Sequence, residues 1–422
     1  MRISFLLHNA YTVGGTIRST FNLAAALATH HEVEIISVLR YRQTPAMGAP
    51  PQVRLTPLVD LRRNSAHYDG DDPRHAQPAR VFPRADGRHR QYSRLTDERI
   101  GLALSRPGAD VIVGTRPGLN VHIARQAHSA AIRVGQEHLT LSGHGWRMRH
   151  EIRHRYPLLD ALTTVTEADA RAYQQLGLPG VRLQAIANSV PAPAARPAEH
   201  TSKTVIAAGR LIPVKRYDLL IKAFAGVVAS HPDWQLQIFG RGDTTGNERN
   251  TLTALIDSLG LSSHVFLNDH TGALETEMAK ASIAVSASDR ESFGMTIAEA
   301  MRCGLPVVAT DCPHGPREII TDGVDGRLVR PGDTQGLTAA LCDLIRDDTL
   351  RRRMGEAARH NSTRYAPDHI TGQHLNLYQE LLKRGPGRRS LSPLQEAAHR
   401  ARTATIDTAH SLRSTARRTW NR

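Results

Sequence analysis

Cysteine is scarce, long apolar runs are missing and acidic residues are outnumbered in this 422-residue chain. The three cysteines, Cys303, Cys312 and Cys342, crowd into one region. That excludes a disulfide framework and predicts a reduced, cytoplasmic protein. No run of apolar residues is long enough to predict a membrane-spanning helix. The opening MRISFLLHNAYTVGG has one charge, a strand-length apolar run and a polar loop, without a small-residue cleavage site. It does not read as a signal peptide. The dinucleotide fingerprint G-x-G-x-x-G is absent as well, so the glycines near the start are not that motif.

What is present is a 40% apolar composition, enough for real cores, and a length that predicts two domains, at ~100–200 residues each. The net charge is +14 and is uneven. From Lys383 to Arg422 ten basic residues face two acids, Glu396 and Asp407, so this end holds +8 of it. Such a tail reads as a solvated end or as a segment drawn to anionic lipid or nucleic acid.

Along the chain, RISFLLH (2–8) reads as a buried strand, TIRSTFNLAAALATH (16–30) as an amphipathic helix and EVEIISVLR (32–40) as a strand. This β-α-β unit starts a parallel sheet. Residues 41–100, rich in Pro, Arg, Asp and His, read as an irregular excursion. The alternation resumes with DVIVGT (110–115), IRVGQ (132–136) and LDALTTVT (159–166). SVPAPAARPAEHTSK (189–203) has no apolar period and suits a linker. A second alternation starts with TVIAAG (204–209), and 333–364 and 366–384 read as closing helices. The predicted fold is α/β. It comprises a first domain (1–190), a second domain (204–365), a helix (366–384) crossing back to the first domain, and a basic tail (385–422). Two doubly wound sheets bind ligands at the carboxyl ends of their strands, so the loops there are where chemistry is expected.

Four such loops stand out. Gly14 and Gly15 precede a helix, where backbone N–H groups approach an anion, although a tight turn explains them equally. Arg210 and Lys215 follow a strand and open a helix, giving a planar fork and a mobile point charge, or a plain surface pair. Gly240 lies in the turn FGRGD. In RESFGMTIAEAM, Glu291 and Glu299 flank Phe293, Gly294 and Met295. Thr296-Ile-Ala-Glu299 fits a capping box, which would account for Glu299 without a ligand but leaves Glu291 unexplained.

The segments AAGRLIPVKRYDLLIKAF, IFGRGD, ESFGMTIAEAMRCGLPVVATD and GPREIITDGVDGRLV, in this order, resemble the donor-binding half of family 4 glycosyltransferases with the GT-B fold. The resemblance covers 200–384 strongly and the N-terminal half loosely. The two glutamates match its E-x7-E signature. It implies that Glu299 binds ribose hydroxyls, that Glu291 faces the transferred sugar, and that Phe293, Gly294 and Met295 offer backbone contacts. Arg210 and Lys215 would grip the diphosphate, with Gly14 and Gly15 across the cleft and Gly240 nearby. The implied reaction is hexosyl transfer from a nucleoside diphosphate sugar to an acceptor hydroxyl, with retention, through a front-face ion pair and without a divalent metal. The donor is a co-substrate, so no cofactor is expected. The acceptor is a glycan, polymer or metabolite. His138, after IRVGQ, is the candidate for the donor sugar's 6-hydroxyl or the acceptor, against a structural role.

Competing readings are a sugar-nucleotide 2-epimerase of the same fold, whose distinguishing motifs are not recognisable, and a non-enzymatic polyanion binder; no nucleic-acid partner is expected. Asp69-Gly-Asp71 mimics the D-x-D metal motif but lies in a polar loop, and His150 and His154 lack a third ligand. WRMRHEIRHRY (146–156) and the tail 385–422 are candidate contacts with an anionic membrane surface, the alternative being solvated basic faces.

Overall fold

A computed structural model describes residues 1–242 and 246–386, with four isolated positions (394, 398, 401 and 405) beyond them. The expectations for the tail beyond 386 otherwise lie outside the described residues.

Seven strands form the first sheet: β1 (Arg2–Leu7), β2 (Glu32–Arg40), β3 (Arg54–Asp60), β4 (Val111–Gly114), β5 (Ile132–Glu137), β6 (Ala161–Thr164) and β7 (Arg182–Ala185). Their order is β3-β2-β1-β4-β5-β6-β7, with parallel pairing throughout. Six form the second: β8 (Thr204–Ala208), β9 (Gln235–Phe239), β10 (Val265–Asn268), β11 (Ile283–Ser286), β12 (Val307–Thr310) and β13 (Gly326–Val329). Their order is β10-β9-β8-β11-β12-β13, again parallel. Helices cover both faces, so central strands such as Val307–Thr310 are buried at every position and need the uninterrupted apolar runs seen in the sequence. Strand order reverses between β1 and β4 and between β8 and β11, and the crevice at each switch point opens at the carboxyl ends. The two doubly wound units face one another across a cleft.

The excursion departs from expectation. Residues 54–60 add β3 to the sheet edge, paired with β2 from Glu34–Arg54 to Arg40–Asp60, and Arg94–Ser105 forms a helix. Pro57 cannot donate to a ladder, which the edge position tolerates. The irregular remainder is pinned by buried carboxylates. Asp97 accepts from the amides of Arg80, Val81 and Phe82, and the Phe82 ring stacks on Tyr92 at 3.5 Å. The helix Pro367–Arg384 returns to the first sheet and buries Ile370, Leu377, Tyr378 and Leu381 against its core. Among the described residues no helix is long and apolar enough to cross a membrane.

Candidate active site

The loops after β8 and β9 are clamped together by close backbone approach. A Cβ on Gly240 would lie 1.9 Å from the Gly209 carbonyl oxygen, so only glycine fits. Leu211 N–H donates to Arg241 O at 2.9 Å, and this clamp sets the position of Arg210, which is exposed. The chain then turns through Arg216 at φ 49°, a left-handed conformation rare for a side-chain-bearing residue, and enters the helix Tyr217–Ser230. Arg216 is tied by ion pairs to Asp218 (3.0 Å) and Asp289 (3.2 Å), and Asp289 N–H donates to Val214 O at 2.9 Å. The loop of β8 is thereby stitched to the loop of β11. Strain at this point is held by neighbours on both sides.

That stitching delivers Lys215 to Glu291. Lys215 Nζ lies 2.5 Å from Glu291 Oε1, and both side chains are largely shielded. Ser288 Oγ donates to the same oxygen at 2.8 Å. The Glu291 backbone is fixed as well: its N–H donates to Pro313 O, and its carbonyl accepts from His314 and Gly315. Gly315 is obligatory there, because a Cβ would lie 1.5 Å from Phe293 O.

The helix Met295–Arg302 begins differently from the capping-box expectation. Gly294, left-handed at φ 108°, is the cap residue, and Thr296 is the second helical position. No side chain caps this helix, and Glu299 does not reach back. The helix's first amides therefore have no partner inside it. Glu299 instead pairs with Arg18 of the helix Gly15–Leu27, at 3.4 Å across the cleft. Burial pushes the Glu299 carboxyl up to about 7; Arg18 opposes that and Glu275 adds to it. Phe293 turns its ring into the core, edge-on to Tyr365 at 5.4 Å, which leaves only its backbone for a ligand.

Gly15 closes the other wall. A Cβ there would sit 3.8 Å from Met295 Cγ, so the glycine loop abuts the second helix opening, while Gly14 is extended. Arg210, Lys215, Gly240, Glu291, Gly294, Met295 and Glu299 thus lie on the carboxyl side of the second sheet, with Gly14 and Gly15 opposite. His138 makes no hydrogen bond to this cluster. It follows β5 beside His374, with neither ring nitrogen hydrogen-bonded, and burial lowers it to about 4. Arg18, Ser288 and Arg216 were missed by sequence reasoning. The first had no local signal, Arg216 lies within AAGRLIPVKRYDLLIKAF, and Ser288 lies three residues before ESFGMTIAEAMRCGLPVVATD.

The decoys are explained by packing. Asp69 binds Arg99 with both oxygens at 2.6 Å and accepts from Asp60 N–H at 2.7 Å. His154 Nδ1 lies 2.9 Å from the His150 carbonyl oxygen.

Comparison with known proteins places this geometry. Residues 192–361 match the family described as Glycosyl transferases group 1. The second sheet's unit is thus similar in sequence to the group 1 glycosyl transferases. It is 34% identical over 412 residues to an exopolysaccharide phosphotransferase of Streptomyces coelicolor, covering 95% of this chain and 43% of that one. It is 30% identical over 184 residues to a poly(glycerol-phosphate) alpha-glucosyltransferase of Bacillus subtilis, covering 43% and 26%. The chain spans less than half the length of either relative. A crystal structure of Staphylococcus aureus TarM with UDP superposes with a TM-score of 0.71 at 17% identity, over 89% of this chain and 99% of that one, and shares the fold. Glu291 lies in the loop after β11 and Glu299 on the helix Met295–Arg302.

Proposed function

We propose that this chain is a retaining hexosyltransferase that moves a hexosyl group from a nucleoside diphosphate sugar, taken to be a UDP-sugar, to an acceptor hydroxyl. The observation that carries the reading is the Lys215–Glu291 contact beside the uncapped helix at Met295. A cation, a shielded carboxylate and free amides at one place suit a sugar diphosphate. Arg210, Lys215 and the amides take the charge that grows as the anomeric C–O bond breaks. Glu291 accepts from sugar hydroxyls and Glu299 from ribose, once Arg18 yields it. The acceptor oxygen forms the new bond on the same face, and its proton passes to the departing diphosphate. His138 serves the donor sugar's 6-hydroxyl or the acceptor. Preorganised donors of this kind are typically worth ~10²–10³ in rate each.

The acceptor is proposed to be a cell-envelope polymer or glycoconjugate, as the relatives' names support. The site of action is then the cytoplasmic face of a membrane, reached through the basic tail and the helix Trp146–Arg155, whose Trp146 stands exposed. Sedimentation with anionic vesicles, weakened in Trp146→Ala, tests this.

The name of the Streptomyces relative favours a second reading, transfer of a phosphorylated sugar. Products separate the two. Glycosyl transfer releases nucleoside diphosphate, whereas sugar-phosphate transfer releases nucleoside monophosphate. The first experiment is calorimetric binding of UDP-, GDP-, ADP- and dTDP-sugars, with Arg210→Ala as control, followed by product analysis. One binder lost in the variant and diphosphate as product support the proposal. No binder, or monophosphate, overturns it.

A further inference from the structure

A second set of cations gathers on the acceptor side of the cleft. β1 and β4 pair from Ile3–Val111 to Leu6–Gly114, and two positions past the last pair come His8 and Arg116. The excursion returns to the same point. Asp86 accepts from Arg116 Nη2 at 2.5 Å, from Gly118 N–H at 3.1 Å and from Arg88 N–H at 2.9 Å. One carboxylate is therefore shared by a guanidinium and two amides. The Arg88 guanidinium is exposed, donates to Gln91 Oε1 at 3.1 Å, and has no carboxylate in ion-pair range among the described residues. His8 is braced by Tyr92, whose hydroxyl lies 2.9 Å from Nδ1.

The charges here do not balance. Arg88 feels Arg116 beside it and Arg210 from the opposite wall. His8 is held well below its ordinary range by burial and then by Arg116 and Arg88, so it adds no charge. Arg88 and Arg116 against Asp86 leave one net positive charge on this wall, and Arg210 adds a second from the wall opposite. Like charges so placed repel, and an anion between them relieves the repulsion. The diphosphate already has Arg210 and Lys215 on the donor wall. Arg88 and Arg116 belong to the other wall, at the strand ends that face the acceptor.

We propose that Arg88 and Arg116 form an anion subsite that receives a phosphate group carried by the acceptor, separate from the diphosphate grip at Arg210 and Lys215. This rests on the transferase reading for the word acceptor. The planar fork of Arg suits a phosphate monoester or diester. The same chemistry would serve the donor's diphosphate, and the test separates the sources.

Glycerol 3-phosphate is titrated calorimetrically into protein saturated with the nucleoside diphosphate that binds best, using wild type, Arg88→Gln and Arg88→Lys, with glycerol as the neutral control. The expected result is that glycerol 3-phosphate binds wild type and weakens by about tenfold or more in Arg88→Gln, as loss of a charged hydrogen bond implies. Arg88→Lys is intermediate, and nucleotide affinity is unchanged in both variants. A matching loss of nucleotide affinity assigns Arg88 to the donor site and overturns the proposal. So does glycerol 3-phosphate binding that is absent from wild type or equal in Arg88→Gln. If no nucleotide binds, the transferase reading fails. In that case loss of glycerol 3-phosphate binding in Arg88→Gln would still support the subsite, and its persistence would overturn it.

Discussion

Arg18 Nε and Glu299 Oε1 meet at 3.4 Å across the cleft, joining a helix of the first sheet's unit to one of the second. The pair occupies the carboxylate proposed for ribose, so nucleotide entry must exchange one partner for another. Glu299 is held protonated more readily than an ordinary carboxylate, at about 7. In the unfolded chain it returns to about 4.5. Between those values the folded state binds the extra proton, so this group's contribution to stability is full below about 4.5 and is lost as pH rises to about 7. The loss is roughly 3 kcal/mol. Nucleotide-free wild type should therefore show this downward slope in thermal unfolding. Glu299→Gln should remove it, and Arg18→Ala, which takes away the opposing cation, should extend it to higher pH.

Lys215 and Glu291 act as one unit. Lys215→Ala leaves a shielded carboxylate without its cation and the diphosphate without one of its proposed partners. A loss of ~10²–10³ in kcat is expected, with a smaller change in nucleotide affinity. Glu291→Ala should also act mainly on kcat, because its proposed partner is the sugar rather than the nucleotide. The double variant should be little worse than the poorer single one, since contacting residues do not add. Additive losses in steady-state kinetics would mean that the two side chains serve separate steps.

The sequence disclosed what depends on local pattern. RISFLLH and EVEIISVLR are buried on both faces, so their apolar runs are visible without a structure. β3 stayed hidden because RLTPLVD carries Pro57 and lies on an edge. β7 and β13 stayed hidden because they are edge strands, and RLQA and GRLV are only partly buried and carry no continuous apolar run. The E-x7-E spacing exposed both glutamates. The capping box misled because it is a local rule, and here Gly294 in a left-handed conformation sets the helix start. Arg18 was invisible for the opposite reason: its partner lies in the other unit, and nothing near Arg18 in sequence points to it.

Gly240 tests whether the clamp between the β8 and β9 loops positions Arg210. A methyl group there meets the Gly209 carbonyl at 1.9 Å, and backbone cannot rotate away as a side chain would. Gly240→Ala should lower stability by about 1–3 kcal/mol in urea unfolding. It should also weaken nucleotide-sugar binding beyond what the folded fraction explains, because Arg210 moves with the displaced loop. Gly242→Ala, whose Cβ would have ordinary contact only, with Arg249 Cβ at 3.9 Å, should leave both measurements near wild type.

Glu318 ties the two units together. Its carboxylate accepts from the amides of Glu167 and Ala168, both at 2.8 Å, at the start of the helix Glu167–Leu176. Thr166 caps the next free amide, that of Asp169, at 3.4 Å. The helix N-terminus in one unit is thus satisfied by a carboxylate from the other, and the partial positive charge there favours that anion. The Glu318 carbonyl accepts from Arg364 and from Tyr365, both at 3.3 Å, which fixes the donor end of the latch. Glu318→Ala leaves two amides to water and removes a tie between the units, a loss of about 1–3 kcal/mol for bonds to a charged group. The expected outcome is a more open nucleotide-free protein, seen as a larger radius of gyration in solution X-ray scattering. Glu318→Gln, which keeps one acceptor oxygen, should fall between. Saturating nucleotide-sugar should restore the wild-type radius if the donor bridges both walls, because its contacts at Lys215 and at the Gly14–Gly15 loop then replace the latch. An unchanged radius in Glu318→Ala would show that the buried apolar contacts of Val165 and Val190 with the second unit hold the closed form by themselves.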